Sequence, residues 1–217
     1  DLHVIEGDLP SRKLPLVPGH QVIGIVDAFG EGSRRFLAGD RVGIAWLAGA
    51  CGACGFCAAG RENLCESSLY TGYHRDGGFA EYAVVRQEFA YRIPESFSDA
   101  EAAPLLCAGI IGYRALSRAE LPPGGTLALY GFGSSAHIVL QLARRRGATV
   151  FVCTRGAARR ELAGAMGAAW TGEDPSGMPA PADSAILFAP AGELVPPAMR
   201  ALKKGGTLAL AGIHMKL

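Results

Sequence analysis

Thr126-Leu-Ala-Leu-Tyr130-Gly131-Phe132-Gly133-Ser134-Ser135-Ala136 is the stretch whose reading decides the fold. An apolar run that ends in Gly-x-Gly-x-x-Ala predicts a buried parallel strand, a tight turn and the start of a helix. The first glycine permits the turn. The second lets the main chain approach a pyrophosphate, and alanine in third place leaves room for close helix packing. A helix over 134–146 follows, and its free N–H groups and positive dipole end suit phosphates. Strand 149–153, helix 157–166, strand 184–188, helix 193–202 and strand 206–211 continue the rhythm. Alternating β and α elements imply a doubly wound, Rossmann-like α/β sheet.

The second strand ends Cys153-Thr154-Arg155, with Arg159 and Arg160 following. A site for NAD usually carries an acid here, about 20 residues after the glycines, to hold the ribose 2′-OH. The strand end offers none, whereas Arg155 can form paired hydrogen bonds to a 2′-phosphate. NADP(H) is therefore the expected cofactor, with NAD(H) as the alternative. Gly131, Gly133, Ser134, Ser135, Ala136, Thr154, Arg155 and Arg159 are its expected contacts.

Working back toward the N-terminus, the pattern changes. Residues 1 to about 105 hold short apolar runs broken by Gly, Pro and Asp. Runs at 22–26, 41–45 and 80–85 read as strands, with turns at 18–19, 30–32 and 76–78. Over 99–118 the apolar residues fall three and four apart, which predicts helix. Ser98 is its expected N-cap, with Glu101 completing a capping box. Pro104 sits in an early turn or separates two helices. Cys51-Gly-Ala-Cys54-Gly-Phe-Cys57, closed by Cys65, reads as one tetrahedral thiolate site, and zinc is its expected occupant. Iron–sulfur ligation and two disulfides are the competing readings of that spacing; disulfides belong to small chains without a core.

His3, Gly19-His20, Gly39-Asp40-Arg41-Val42, the cysteine lobe, Gly77-Gly78-Phe79-Ala80-Glu81-Tyr82, Leu106-Cys107-Ala108-Gly109 and Gly131-Phe132-Gly133 come in one order along the chain. In that order the sequence resembles the zinc-dependent medium-chain alcohol dehydrogenases. The resemblance implies a GroES-like catalytic domain over 1–108, with a structural zinc lobe at about 49–66, and an incomplete nucleotide-binding domain over 109–217. It makes His20 and Cys107 ligands of a catalytic zinc whose first Cys would precede residue 1. It makes Asp1 the carboxylate that orients His20, His3 the group that passes the alcohol proton to solvent, and Trp46 a wall of the substrate pocket. Gln21 stands where the family commonly has Glu. Ile5 and Leu9 replace the Trp of small-alcohol members, which leaves room for bulkier or aromatic alcohols.

The implied activity is hydride transfer between an alcohol and an aldehyde or ketone, with a nicotinamide cofactor. A zinc-independent quinone or enone reductase of the same superfamily is one rival, and a non-catalytic zinc-stapled nucleotide-binding protein another. The family continues beyond both ends of this sequence, so the chain reads as a piece of a longer protein, a homo-oligomer (dimer or tetramer) when complete. Cys153 reads as structural, His74 and His137 as core or surface residues, and His214 stays open.

Composition agrees with a small-molecule enzyme. The chain has 217 residues, 49% hydrophobic and 19% charged, with a net charge of +1, which leaves no nucleic-acid footprint. The uncharged stretch from Leu121 to Ala143 is punctuated by Pro and Gly, so a strand–turn–helix explains it better than a membrane span. An acidic, polar start without an apolar h-region predicts no signal peptide, and unpaired thiols point to the cytoplasm.

Overall fold

The computed structural model describes residues 1–212, and His214 lies outside them. The chain forms two compact units, Asp1–Cys107 and Ala108–Leu217.

The first unit begins with a short helix, α1 (Leu2–Ile5), then β1 (Val22–Ile25), β2 (Arg41–Ile44), β3 (Leu47–Gly49), α2 (Gly55–Ala58), β4 (Leu69–Tyr70), β5 (Ala90–Arg92) and α3 (Asp99–Ala102). β1, β2 and β5 make an antiparallel sheet with β2 in the centre, and β3 pairs with β4. Phe36, Val42 and Ala90 form a small core here. Residues 80–85 are not a strand. They have no partner ladder, and Phe79, Tyr82 and Val84 face solvent. A strand needs a neighbour for its N–H and C=O groups as well as an apolar pattern. The short strands β3, β4 and β5 went unpredicted because two or three residues carry no readable period.

The helical stretch over 99–118 is interrupted. α3 gives way to a 3-10 turn at Ala103–Leu106 that contains Pro104, and α4 (Ala108–Arg118) starts anew. The Ser98–Glu101 capping box is formed in both directions.

The second unit carries the doubly wound sheet. β6 (Thr126–Tyr130), α5 (Ser134–Arg145), β7 (Thr149–Cys153), α6 (Ala157–Ala165), β8 (Trp170–Gly172), β9 (Ala182–Leu187), α7 (Val195–Arg200) and β10 (Leu202–Leu210) follow α4. All pairings are parallel in the order β10-β9-β6-β7-β8. The order reverses between β6 and β9, which is where open α/β sheets bind ligands. Pro196 and Pro197 confine helix α7 to six residues, where a longer one is expected from the pattern.

Strand alternation explains the two layers. Leu127, Leu129, Val150, Val152 and Ile186 pack with Leu116, Val139 and Leu140 from α4 and α5. Ala128, Tyr130, Ala185 and Leu187 pack with Ala198 of α7 in a second cluster. Among the described residues no helix is long and apolar enough to cross a membrane. Leu129 is fully buried in the central strand. Leu129→Ala should cost about 2–5 kcal/mol, the range for cavity-forming core truncations, measured as a lower urea midpoint of the transition that Trp170 fluorescence reports.

Candidate functional site

The lobe brings its four sulfurs to one point. The ligand atoms of Cys51, Cys54, Cys57 and Cys65 all lie within 4.8 Å of one another, and none of these residues is in a disulfide. Sγ of Cys57 is 3.5 Å from that of Cys54 and 3.9 Å from that of Cys51. A tetrahedral zinc with bonds near 2.3 Å would separate its sulfurs by about 3.8 Å, so the donor set fits that ion. Main-chain N–H groups of Ala53 and Cys54 donate to Cys51 Sγ, and that of Cys51 donates to Cys65 Sγ. Those N–H groups pull the Cys51 thiol down to about 6. Burial, and then the proton shared with Cys54, push Cys57 up to about 12.

His20 leaves a main-chain crossing built from glycines. Gly19 has φ +100°, and Gly77 and Gly78 lie across it. Gly77 N–H donates to Val17 O at 2.7 Å, Gly78 N–H to Gly19 O at 3.0 Å and Phe79 N–H to Pro18 O at 3.0 Å. A Cβ on Gly77 would stand 2.0 Å from Gly19 O, and one on Gly72 would stand 2.9 Å from Gly19 N. The glycines expected to form a turn at 76–78 therefore serve to clear space for this segment.

Asp1 is held through its side chain. Its carboxylate accepts from Gly19 N–H at 2.8 Å and lies 3.1 Å from His20 Nδ1. That contact leaves Nε2 as the imidazole nitrogen able to meet a metal. Burial holds the His20 pKa below its ordinary value, so the ring is neutral near pH 7, the form able to ligate a metal. Cys107, half-buried, follows Leu106, which packs against Gly43 of β2. Burial raises its pKa. His3 is exposed, with Nδ1 2.8 Å from Asp8.

Trp46 meets the His20 ring edge-on at 5.2 Å and stacks on Tyr70 at 4.7 Å. Tyr73 extends the stack, and its OH donates to Pro10 O. His74 and His137 pack on Tyr73 and Phe132, and each has one buried ring nitrogen without a hydrogen-bond partner.

In the second unit Gly131 has φ +87°, donates to Cys153 O at 2.8 Å, and would place a Cβ 3.0 Å from Ala189 N. Phe188 and Ala189 N–H both donate to Tyr130 O. The ends of β6, β7 and β9 are so tied into one rim. Gly133 N-caps α5 and has open space where a Cβ would be, as a main chain approached by a phosphate requires. Ala136 is fully buried, and Ser134 and Arg155 are exposed. The expectation that no acid reaches the end of β7 needs amending. Glu173, arriving after β8, pairs with Arg160 there.

Residues 1–95 match the model of the alcohol dehydrogenase GroES-like domain. A Mycobacterium tuberculosis protein named probable alcohol dehydrogenase AdhA is 54% identical over 220 residues, covering 99% of this chain and 64% of the relative. The chain belongs to the medium-chain alcohol dehydrogenase family. A Helicobacter pylori CAD solved in complex with NADP(H) matches with a TM-score of 0.91 at 27% identity, over 99% of this chain and 65% of that one. A cinnamyl alcohol dehydrogenase of Sorghum bicolor matches at 0.90 and 33% identity, over 100% of this chain and 66% of that one. The chain thus spans about two thirds of the length of these medium-chain alcohol dehydrogenases.

Sequence reasoning missed Tyr70, Tyr73 and Glu173. The two tyrosines follow the lobe within Leu69-Tyr70-Thr71-Gly72-Tyr73, an aromatic pair flanking a glycine that could have flagged a stack. Gly77→Ala should destabilise the first unit by about 1–3 kcal/mol, the usual cost of overpacking. Denaturation followed by Trp46 fluorescence in a Trp170→Phe background checks this, and Gly30→Ala, where φ is not left-handed and a Cβ meets nothing within 4 Å, controls for the loss of a glycine without a clash.

Proposed function

We propose that the whole protein is a zinc-dependent oxidoreductase that interconverts alcohols and aldehydes or ketones, with NADP(H) preferred over NAD(H). The observation that carries this reading is the partly buried His20 imidazole, fixed through Nδ1 by the Asp1 carboxylate, in a chain that belongs to the alcohol dehydrogenase family.

His20 and Cys107 would hold the catalytic zinc, together with a donor this chain does not supply. When bound, zinc supplies Lewis acidity that lowers the pKa of an alcohol oxygen. Asp1 keeps His20 in the tautomer with Nδ1 protonated and stops the ring from turning. Trp46, wedged between His20 and Tyr70, offers a rigid apolar wall on which an aromatic alcohol can pack. His3 is exposed and can exchange a proton with water. Its partner Asp8 keeps the ring oriented. Gly133, Ser134 and Ser135 would receive the pyrophosphate, and Arg155 with Arg159 a 2′-phosphate. Cys51, Cys54, Cys57 and Cys65 would hold the structural zinc.

Two measurements test this. Metal analysis of the chain should find one tightly held zinc, absent after Cys57→Ser, because two protein ligands at His20 and Cys107 hold an ion poorly; two tight ions would refute the ligand assignment. The full-length enzyme should reduce NADP+ with benzyl alcohol, more efficiently than NAD+ and better than with ethanol, and lose at least 100-fold in rate to a chelator. Undiminished turnover in the chelator would favour a zinc-independent reductase instead.

A further inference from the structure

Glu173 stands where its sequence position does not announce it. β8 lies beside β7, so the residue after β8 meets the end of β7. Thr154 N–H donates to Gly172 O at 2.8 Å, and Cys153 Sγ donates to Glu173 O at 3.1 Å. The Glu173 carboxylate receives the guanidinium of Arg160, which also donates to Thr154 O at 3.3 Å. The Glu173 side chain remains 58% exposed, so it is open to a ligand. Arg155 is exposed, and its charge bears on the same carboxylate. One carboxylate is therefore paired with Arg160 of α6, beside the loop that follows the second strand of the nucleotide fold and carries Arg155.

We propose that Glu173 is a specificity-determining residue. By occupying Arg160 and bringing a negative charge to the end of β7, it weakens the grip of this region on a 2′-phosphate and sets the ratio between NADP(H) and NAD(H). The inference rests on the dinucleotide reading above. A 2′-phosphate near Arg155 meets a carboxylate of like charge, whereas a bare ribose 2′-OH meets an acceptor. Glutamine in its place keeps the volume, removes the charge and releases Arg160.

The test is equilibrium binding of NADPH and NADH, by calorimetry, to the wild type, Glu173→Gln and Arg160→Gln. Glu173→Gln should shift the ratio of the two dissociation constants toward NADPH by roughly tenfold, the scale of one charge contact near a protein surface. Arg160→Gln leaves the carboxylate unpaired and should shift the ratio the other way. A merely structural clasp would weaken both ligands alike in both variants, and an unchanged ratio with binding retained overturns this proposal alone. If neither dinucleotide binds to any of the three proteins, the cofactor assignment fails and takes this proposal with it.

Discussion

Both candidate sites stand on places where main chain crosses main chain at hydrogen-bond distance. At such a crossing a Cβ has nowhere to go. The 2.0 Å separation between a built Cβ on Gly77 and Gly19 O is far inside van der Waals contact. Only glycine lets the 77–79 segment donate three N–H groups to 17–19. That ladder fixes the direction in which His20 leaves the chain. Gly131 does the same in the second unit, where its N–H reaches Cys153 O and its α-carbon passes Ala189. The functional side chains are few, and the geometry that aims them is glycine backbone.

Electrostatics then sharpens what the backbone positions. His20 is neutral near pH 7 because burial disfavours its charged form. Neutral imidazole is the ligating form. The Asp1 carboxylate accepts both a main-chain N–H and the ring, so it is held in place as firmly as it holds. At the far rim of the sheet the same logic runs through Arg160 and Glu173, whose pairing draws the carboxyl below the usual range. Asp183 behaves alike where it accepts from Lys203 and from Thr126 N–H, fastening the start of β6.

What was legible in the sequence follows from range. The strand–turn–helix at 126–145 was readable because its apolar run, its glycines and its helix are contiguous, and the structure reproduces β6, α5 and β7 within a residue. The capping box at Ser98 and Glu101 was readable for the same reason. Residues 80–85 misled because their apolar residues are real but the partner strand is not there, and pairing is a non-local fact. Glu173 was invisible from Arg155 because 18 residues and a whole helix separate them, while the parallel pairing of β7 with β8 brings them together. The ordered motifs around His20 and Cys107 named the family. Which atom of Asp1 touches which nitrogen of His20 needed coordinates.

The cysteine lobe completes the argument because its stability has no hydrophobic source. Between Ala50 and Cys65 only Cys65 is buried, and Phe56 and Leu64 are exposed. Helix α2 is a single turn, too short to stand in water unaided. Four sulfurs gathered within 4.8 Å and supplied with main-chain N–H donors are what the lobe has instead of a core. A metal bound there would convert binding free energy into folding free energy, as in small metal-stapled domains. The chain leaves this lobe through Ser68, whose hydroxyl donates to Tyr70, and Tyr70 stacks on the Trp46 that faces His20. The lobe is thereby linked, through Tyr70 and Trp46, to the ring of His20, so four sulfurs remote in sequence bear on where that imidazole stands.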